Sequence, residues 1–349
     1  MDHPINPELA NIIQKMPKIE LHRHLEGSLR LSTLFDILGK CGVDIEAETE
    51  EDLRPMVQMT PRDRRDSQHF LGKFNVMRRF FCSAEVIQRF AREIVLDAAA
   101  DHVRYMELRF TPKALSTMSG IPLEDIVPLV CDAANEAAEE SGIIVRYIAS
   151  MNRHEPVEIG EHVLRAAINN RSRGVVGLDL AGDEANYSCL PFRQLFRRAK
   201  SAGLGVTIHA GEWAGARSVW DAIGNLNADR VGHGIKALDD LAIVQVLAER
   251  EIVLEVCPTS NVLSGVVDEL GDHPLIALTR QRVLTTINTD DPLVCDITLS
   301  DEIARVMTTM NVSLEEIKEF TLRAARSAFL PDGEREELVR KFQGWLAAV

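Results

Sequence analysis

Eight short apolar segments rich in β-forming residues recur along the chain, and segments with helical periodicity separate most of them. A strand–helix order repeated in this way predicts parallel strands joined by right-handed crossovers. Eight such strands in a chain of 349 residues predict an α/β fold, a (β/α)8 TIM barrel, which typically takes ~250 residues plus insertions. The predicted strands are 18–24, 103–110, 143–151, 175–181, 205–210, 230–233, 252–258 and 283–289. The clearest predicted helices are 83–101, 122–141, 158–171, 190–202, 217–225 and 238–250.

The connection between the first two predicted strands is too long for one helix, since about 78 residues follow His24 before the second strand begins. It contains a helix-like segment at 29–40, an acidic turn at 45–52 and an apolar segment at 70–81. The loops that follow barrel strands form the active face. We therefore expect a helical insertion at about 29–100 that covers the site as a lid.

Three apolar side chains of this insertion, Phe70, Leu71 and Phe74, share one face of the predicted helix. From the residues alone, ordinary core packing explains them more simply than contact with a substrate. No Pro/Gly/Ser-rich linker or low-complexity stretch divides the chain. Residues 1–349 are therefore expected to form a single domain that includes the insertion.

Composition excludes several classes of partner. A formal charge of −14 argues against nucleic acid, because binding a phosphate backbone depends on clustered Lys and Arg. The basic runs Arg62–Arg65 and Arg78–Arg79 are most simply solvated surface. No apolar run approaches the roughly 20 residues that span a bilayer, and the N-terminus lacks the pattern of a secretory signal. We expect a cytoplasmic protein without a membrane or nucleic-acid partner.

The six cysteines contain no CxxC pair and are spread over the chain, as is typical of an intracellular enzyme. They are expected to be reduced and mostly buried, without a disulfide framework. They are Cys41, Cys82, Cys131, Cys189, Cys257 and Cys295.

Four short motifs stand at the ends of predicted strands one, five, six and eight. In an extended strand, His22 and His24 point to the same face, where two imidazoles can hold one metal ion, and Arg23 points away. A single His after an apolar run is more often a hydrogen-bonded core residue. All C-terminal strand ends of a barrel meet at one mouth, so the four motifs together predict one site. They are LHRHLEGS at 21–28, IHAGE at 208–212, VGHG at 231–234 and INTDDP at 287–292.

Three imidazoles and one carboxylate are the ligands expected for a single catalytic zinc ion. The candidate ligands are His22, His24, His209 and Asp290. A bound zinc ion brings the pKa of its water down toward ~7, so the chemistry indicated is hydrolysis. We therefore also predict that Asp290 is a catalytic residue.

Three further polar residues are candidates for proton transfer, orientation of the hydroxide and substrate binding beside the metal. Glu212 lies three residues beyond His209 and is placed to carry a proton. His233 could orient the attacking hydroxide, and Asp291, pointing away from Asp290, could accept a hydrogen bond from a substrate. Taken singly, each carboxylate could equally be a surface ion pair or a loop cap.

The ordered set of motifs resembles the adenosine deaminase family of the amidohydrolase barrel superfamily, from about residue 16 to residue 345. HxH alone is weak, whereas the ordered set is highly specific. Besides the four segments above, the resemblance includes FLGKF at 70–74, ELRFTP at 107–112, GLDLAGDE at 177–184, EVCPTSN at 255–261 and AARSAFLP at 324–331.

The resemblance implies hydrolytic deamination of adenosine and 2′-deoxyadenosine to inosine and 2′-deoxyinosine plus ammonia, as part of purine metabolism and salvage. One zinc ion per chain would be bound by the four ligands named above. Glu212 would protonate the purine N1 while hydroxide adds to C6, and His233 would polarise that hydroxide. Asp291 would bind the N7 edge, the backbone N–H of Gly182 would reach N3, and the FLGKF segment would form a gate.

Glu26 departs from the family pattern, because adenosine-specific members usually have HLDG where this chain has HLEG. The extra methylene would move the carboxylate by ~1.5 Å, one C–C bond, at the place where the family's aspartate contacts the ribose 5′ hydroxyl. Relatives that deaminate adenine or aminodeoxyfutalosine often carry glutamate there. The FLGKF, LAGDE and CPTSN segments favour adenosine.

Other readings stay open at this point. Phosphorylated substrates are disfavoured, because Glu26 would repel a phosphate and no Gly-rich loop offers to hold one. A barrel that has lost catalysis would have no physical need to keep Glu212 beside four ligands. An amidohydrolase with two metals bridged by a carboxylated lysine is also disfavoured, since Leu178–Gly182 contains no Lys. The oligomeric state is not predicted.

Overall fold

Eight parallel strands form one sheet in the order β1 to β8, so that each strand pairs with its neighbours in sequence. The computed structural model describes residues 6–349. The strands are β1 Lys18–His24, β2 Val103–Phe110, β3 Ile144–Asn152, β4 Val175–Ala181, β5 Gly205–Ala210, β6 Arg230–His233, β7 Val253–Val256 and β8 Leu284–Ile287. Five of the eight have the bounds predicted from the sequence, and the predicted TIM barrel is confirmed.

The barrel closes where the chain beyond β8 meets β1. The N–H of Asp290 donates to the carbonyl of His22 at 3.0 Å, and the N–H of His24 donates to the carbonyl of Asp290 at 2.8 Å. These two bonds continue the sheet across the seam, although β8 itself ends at Ile287. Residues on either side of the seam therefore face the same mouth.

Helices surround the barrel and fill the connections. The α-helices are α1 Pro7–Lys15, α2 Leu31–Ile37, α3 Glu50–Val57, α4 Ser67–Met77, α5 Ala84–Ala100, α6 Pro112–Ser119, α7 Leu123–Ser141, α8 Val157–Asn169, α9 Arg193–Ser201, α10 Ala216–Trp220, α11 Leu241–Glu249, α12 Pro258–Leu263, α13 Leu275–Arg280, α14 Pro292–Cys295, α15 Leu299–Met310, α16 Leu314–Ser327 and α17 Asp332–Leu346. Short 3₁₀ turns cover Arg78–Phe80, Arg171–Arg173, Leu190–Phe192, Ile235–Asp239 and Leu270–Asp272, and a π turn covers Asp221–Asn225.

Three predicted helices are shorter than expected. The segment predicted at 238–250 is α-helical only from Leu241 to Glu249, after a 3₁₀ turn over Ile235–Asp239. The segment predicted at 190–202 begins as a 3₁₀ turn around Pro191, which has no backbone N–H to donate, and only α9 is α-helical. The segment at 217–225 passes from α10 into the π turn. Among the described residues, no single helix is long and apolar enough to cross a membrane; α6 and α7 meet that test only as a pair with a 105° bend.

Four helices, α2 to α5, make up the long connection between β1 and β2. The acidic turn expected at 45–52 is only partly a turn, because Thr49 and Asp52 form a reciprocal capping box that begins α3 at Glu50. Asp66 caps α4 by accepting a hydrogen bond from the N–H of His69. The helical insertion predicted from the sequence is therefore present at this place in the chain.

A disulfide joins Cys41 to Cys82 within the insertion, with their Cα atoms 5.5 Å apart. The expectation that all six cysteines are reduced is wrong for this pair. The two lie 41 residues apart in sequence, and only the fold of the insertion brings them together. The other four cysteines are free and buried, as expected.

Charged side chains fill the barrel interior. Arg230 is paired with Glu255, Nε to Oε1 at 2.6 Å, and also with Glu107. Its guanidinium stacks on Phe329, 3.6 Å from the ring centroid, at the end of the barrel away from the mouth. A Cβ atom on Gly205 would overlap the Phe329 ring, so this glycine leaves the space that the aromatic plug occupies.

Candidate active site

Four side chains meet at the C-terminal mouth of the barrel with the spacing of metal ligands. His22 and His24 come from the end of β1, His209 from the end of β5, and Asp290 from the segment after β8. Oδ1 of Asp290 lies 3.1 Å from Nε2 of His22 and 3.3 Å from Nε2 of His24, and Nε2 of His24 lies 3.2 Å from Nε2 of His209.

These separations match one tetrahedral ion. Ligand atoms ~2.05 Å from a zinc ion are about 3.3 Å apart along the edge of a tetrahedron. Nε2 of His22 is buried and makes no hydrogen bond, which suits a nitrogen whose partner is a metal. Asp290 adopts a positive φ of 65°, a conformation that Asp tolerates better than most residues and that turns its carboxylate toward the three imidazoles.

Three of the four candidate ligands, all except His24, are held in place by a hydrogen bond to another side chain. Nδ1 of His22 lies 2.9 Å from Oε2 of Glu255, and Nδ1 of His209 lies 2.9 Å from Oδ1 of Asp179. A carboxylate at Nδ1 accepts the ring proton there, which leaves Nε2 free as a ligand. The hydroxyl of Ser260 donates to Oδ2 of Asp290 at 2.7 Å, so that carboxylate is also fixed.

Burial keeps two of the three imidazoles in the neutral form that binds a cation. Burial, acting first, lowers the pKa of His24 and of His209, so both imidazoles stay neutral. Burial would raise the pKa of Glu255, but the guanidinium groups of Arg109 and Arg230 outweigh it and hold that pKa well below its usual range.

A second quartet overlaps the first. His22, His233, Cys257 and Asp290 also place ligand atoms within 4.8 Å of one another. Burial raises the pKa of the Cys257 thiol well above its usual value, which disfavours the thiolate that binds metals. The three-histidine set is therefore the better metal site.

Glu212 lies beside the candidate metal ligands, in surroundings that favour the protonated form of its carboxyl group. It is buried, and Oε2 is 3.5 Å from Nε2 of His233. Burial, followed by the negative charges of Asp290 and Glu184, raises the pKa of Glu212 well above its usual value. These surroundings favour the protonated form of Glu212, which can donate a proton.

The turn that carries Glu212 is held by the carboxylate of Glu184. Its Oε1 accepts from the N–H of Gly211 at 2.6 Å, and its Oε2 accepts from the N–H groups of Glu212, Trp213 and Ala214 at 3.0, 2.9 and 3.2 Å. Four backbone donors on one buried carboxylate fix the position of this turn. Sequence reasoning quoted the GLDLAGDE motif but gave Glu184 no role.

The tautomer of His233 is set by a chain of three side chains. Nδ1 of His233 lies 3.1 Å from Nδ2 of Asn261, and Oδ1 of Asn261 lies 3.1 Å from Nε2 of His273. The N–H of Leu275 donates to Nδ1 of His273, so Nε2 of His273 carries a proton and donates it to the Asn261 oxygen. The amide of Asn261 then donates to His233, whose own proton stands on Nε2, facing Glu212 and Asp290. Sequence reasoning missed Asn261 and His273.

The residues expected to bind a substrate lie in the same pocket. Asp291 is buried, and its Oδ1 has no hydrogen-bond partner. Gly182 has a φ of 87°, which glycine adopts at little cost. Glu26 is buried; its Oε1 accepts from the N–H of Thr111 at 2.9 Å and its Oε2 has no partner. Burial, acting first, raises the pKa of both Glu26 and Asp291.

One cavity, which we call the inner pocket, is lined by all the predicted site residues except His22. Phe70, Leu71 and Phe74 of α4 are part of its wall, so the simpler core-packing interpretation of these three is incomplete. The cavity volume is about 70 Å³, small beside the ~300–1,000 Å³ typical of ligand sites. A groove of about 1190 Å³ at the opposite end of the barrel contains none of the ligand residues.

Arg78 corrects one sequence-based expectation. Arg79 is exposed, as are Arg62, Arg64 and Arg65, but Arg78 is half-buried and lines the inner pocket. It follows α4 in a 3₁₀ turn that bends its side chain inward, which the run of two arginines does not reveal. Trp213 and Asn152 also line the pocket and were not singled out.

Comparisons with known proteins agree with this geometry. A family model described as adenosine deaminase matches residues 17–345. The adenosine deaminase of Klebsiella pneumoniae is 34% identical over 330 residues, covering 95% of this chain and 98% of that protein. The adenosine deaminase of Salmonella heidelberg is 35% identical over 326 residues, covering 93% and 97% respectively.

Solved structures of similar fold include other deaminases. An adenine deaminase from Arthrobacter aurescens is 28% identical with a TM-score of 0.86, covering 95% of this chain and 99% of that one. An N6-mAMP deaminase from Arabidopsis is 27% identical with a TM-score of 0.85, covering 96% and 99%. An amidohydrolase from Burkholderia ambifaria with bound Zn is 26% identical with a TM-score of 0.88, covering 100% and 97%.

Proposed function

Because this chain belongs to the adenosine deaminase family, we propose that it hydrolyses the 6-amino group of adenosine and 2′-deoxyadenosine. The products are inosine or 2′-deoxyinosine and ammonia. The observation that carries the proposal is the meeting of a three-histidine, one-carboxylate ligand set with Glu212, a buried acid of raised pKa, in one pocket.

The metal proposed for the site is one zinc ion per chain, held by His22, His24, His209 and Asp290. Three neutral nitrogens, one carboxylate oxygen and the tetrahedral spacing of their atoms suit zinc in a catalytic site. When bound, zinc makes water a nucleophile at neutral pH.

Glu212 then acts as the general acid. Its proton passes to N1 of the purine while the oxygen of water adds to C6, which spares the ring a negative charge in the transition state. His233 presents the Nε2–H, fixed by Asn261, to the incoming oxygen. When the tetrahedral C6 adduct collapses, its hydroxyl proton passes to the amino group, the C6–N bond breaks, and ammonia leaves the 6-oxo purine. The other proton of the attacking water returns to Glu212, which restores the acid.

Two groups orient the ring. In this proposal the carboxyl group of Asp291, whose Oδ1 has no hydrogen-bond partner in the protein, donates a hydrogen bond to N7, which is an acceptor. Burial raises the pKa of Asp291 and so favours the protonated form that this contact requires. The backbone N–H of Gly182 reaches N3, and the lack of a Cβ lets the backbone approach a flat ring closely.

The insertion at about 29–100 serves as a lid in the same domain as the barrel. Phe70, Leu71 and Phe74 of α4 close over a cavity of about 70 Å³, too small to admit a nucleoside without a movement of the wall. Entry of the substrate therefore requires α4 to move, and its return excludes water from the reacting C6.

Glu26 supports a second candidate, deamination of another aminopurine by the same residues. Its carboxyl group differs from the aspartate usual in adenosine-specific members, and one similar structure is an adenine deaminase. Adenine and aminodeoxyfutalosine are the alternatives, whereas a barrel without catalysis is disfavoured by the complete ligand set.

The test is ammonia release from purified, zinc-loaded protein with adenosine, 2′-deoxyadenosine, adenine and aminodeoxyfutalosine in parallel. We expect the two nucleosides to be preferred. A preference for adenine or aminodeoxyfutalosine would retain the mechanism and change the substrate. No ammonia from any of the four, in a protein that holds zinc, would overturn the proposal.

A further inference from the structure

Arg78 lies at the junction of two cavities. The inner pocket opens beside it into a second cavity of about 590 Å³, which we call the outer chamber. Five residues line both cavities, namely Leu71, Phe74, Arg78, Asn152 and Gly182. Glu26 lines the inner pocket alone, so Arg78 stands between Glu26 and the outer chamber.

The guanidinium group of Arg78 forms no ion pair, although its charge acts on the buried carboxyl group of Glu26 in the same pocket. In residues 6–349 no carboxylate oxygen lies within the 4.0 Å of an ion pair with Arg78, and its side chain makes no hydrogen bond. Its Nε is buried without a partner, whereas its two terminal nitrogens are not among the buried unpartnered atoms. Its Cζ lies 5.8 Å from the centroid of the Phe74 ring, which restricts the orientation of the group. An arginine with an unpartnered fork beside a cavity is a binding site for an anion.

The other charged groups near the outer chamber do not compensate this charge. Asp183, the carboxylate in its wall, accepts hydrogen bonds from the backbone and side-chain nitrogens of Asn186 at 3.1 and 2.8 Å. His154 packs edge-on against Tyr187 with ring centroids 6.1 Å apart. Arg78 is the one Lys or Arg side chain lining either cavity in the described part of the chain.

We propose that Arg78 forms a subsite for an anionic group, a phosphate monoester or a carboxylate, carried on the sugar of an aminopurine nucleoside. The inference rests on the proposed function, because it assumes that the purine occupies the inner pocket with its C6 at the metal ligands. The sugar then lies near Glu26, and a substituent longer than a hydroxyl reaches Arg78 and the outer chamber. Glu26 alone would repel such a group, but Arg78 lies in the wall of the same inner pocket and supplies the opposite charge.

A matched pair of substrates isolates the charge. Adenosine-5′-carboxylic acid and adenosine-5′-carboxamide have nearly the same shape and differ by one negative charge. We expect kcat/KM for the acid to exceed that for the amide by about tenfold or more, as a charge-assisted contact allows. Adenosine 5′-monophosphate is the third substrate, and comparison of its kcat/KM with that of the carboxylic acid shows which anion the subsite prefers.

Three variants assign the effect to one side chain. Arg78→Gln should bring the acid-to-amide ratio close to one, and Arg78→Lys should retain part of it, since Lys keeps the charge and loses the fork. Arg79→Gln removes the neighbouring exposed arginine and should leave the ratio as in the unaltered protein. Thermal unfolding of Arg78→Gln and Arg78→Lys checks that both are folded. An acid-to-amide ratio near one in the unaltered protein, or a ratio unchanged in Arg78→Gln, would overturn the subsite.

A binding measurement separates this inference from the proposed function. Inosine-5′-carboxylic acid and inosine-5′-carboxamide need no turnover, and their affinities are measured by calorimetry. If no aminopurine releases ammonia but the acid binds more tightly than the amide and Arg78→Gln removes the difference, the proposed function fails and the subsite stands. If ammonia is released but neither pair is distinguished, the subsite fails and the proposed function stands.

Discussion

A Cβ atom on Gly27 would lie 2.6 Å from the Cβ of Asp291 and still closer to its Oδ1. Gly27 has no positive φ, so its backbone conformation suits Ala, and the three atoms nearest to the added Cβ all belong to the Asp291 side chain. Gly27→Ala should therefore displace the proposed N7 contact and lower kcat/KM for adenosine by about 10²-fold, as a misplacement of ~1 Å can. Gly39→Ala, where a Cβ meets nothing within 4 Å, is the control. Activity equal in both variants would show that Asp291 does not position the ring.

Replacing Glu212 with Gln should leave zinc bound and slow turnover by at least ~10²-fold, since Gln keeps the shape of the side chain but cannot deliver a proton. Zinc content is measured by atomic absorption and turnover by ammonia release. A nearly normal rate would remove Glu212 from the role of general acid.

The pH dependence should follow the proton on Glu212. Because its pKa is raised, Glu212 keeps its proton to higher pH than an ordinary glutamate, and kcat/KM should fall on the alkaline side as that proton is lost. The negative charge of Glu184 contributes to the elevation, so Glu184→Gln should move the alkaline limb to lower pH. A profile whose alkaline limb stays in place would separate Glu184 from the protonation of Glu212.

Loss of a ligand should lower zinc content. We expect His22→Ala and His209→Ala each to bind less than one zinc ion per chain after dialysis, because each removes one of four ligand atoms. His69→Ala, at an exposed histidine of α4, is the control for loss of an imidazole elsewhere. Full occupancy in both ligand variants would refute the set.

Burial lowers the pKa of His273 to about 3, so acid should destabilise the fold at this residue. The unfolded chain binds a proton at His273 near pH 6.5 and the folded chain only near pH 3. Between these values the free energy of unfolding falls as pH falls, by up to about 1.4 kcal/mol per pH unit from this group. Urea unfolding of His273→Gln across the same range should show a smaller slope, and an equal slope would contradict the assignment.

The sequence predicts the barrel well because each parallel strand is buried on both faces and therefore forms a short, continuous apolar segment of the sequence. It also predicts that the four candidate ligands lie together, because in a barrel polar residues at strand ends are brought to one mouth. Groups that position the other active-site residues from elsewhere in the chain leave no local signal. Glu184 lies 28 residues before the Glu212 whose N–H it accepts, and Asn261 as far beyond the His233 that it orients. Arg78 differs from an exposed arginine only in the direction of its side chain, which is set by one 3₁₀ turn and cannot be read from the sequence.

Cys41 and Cys82 illustrate the same limit for a covalent bond. Neither neighbourhood contains a disulfide pattern, and the pairing follows from the way α2 and the turn after α4 pack in the insertion. The bond encloses α3 and α4, so the segment that carries Phe70, Phe74 and Arg78 is tied at both ends.

Three of the four proposed metal ligands stand on the two sides of the seam that closes the barrel, with His22 and His24 on β1 and Asp290 after β8. During synthesis on the ribosome, the first two ligands emerge more than 260 residues before the last. A nascent chain therefore holds an incomplete set of ligands until its final strand is made. Tight metal binding can begin only when the two ends of the sheet have met. Binding of the ion would therefore select chains in which the barrel has already closed.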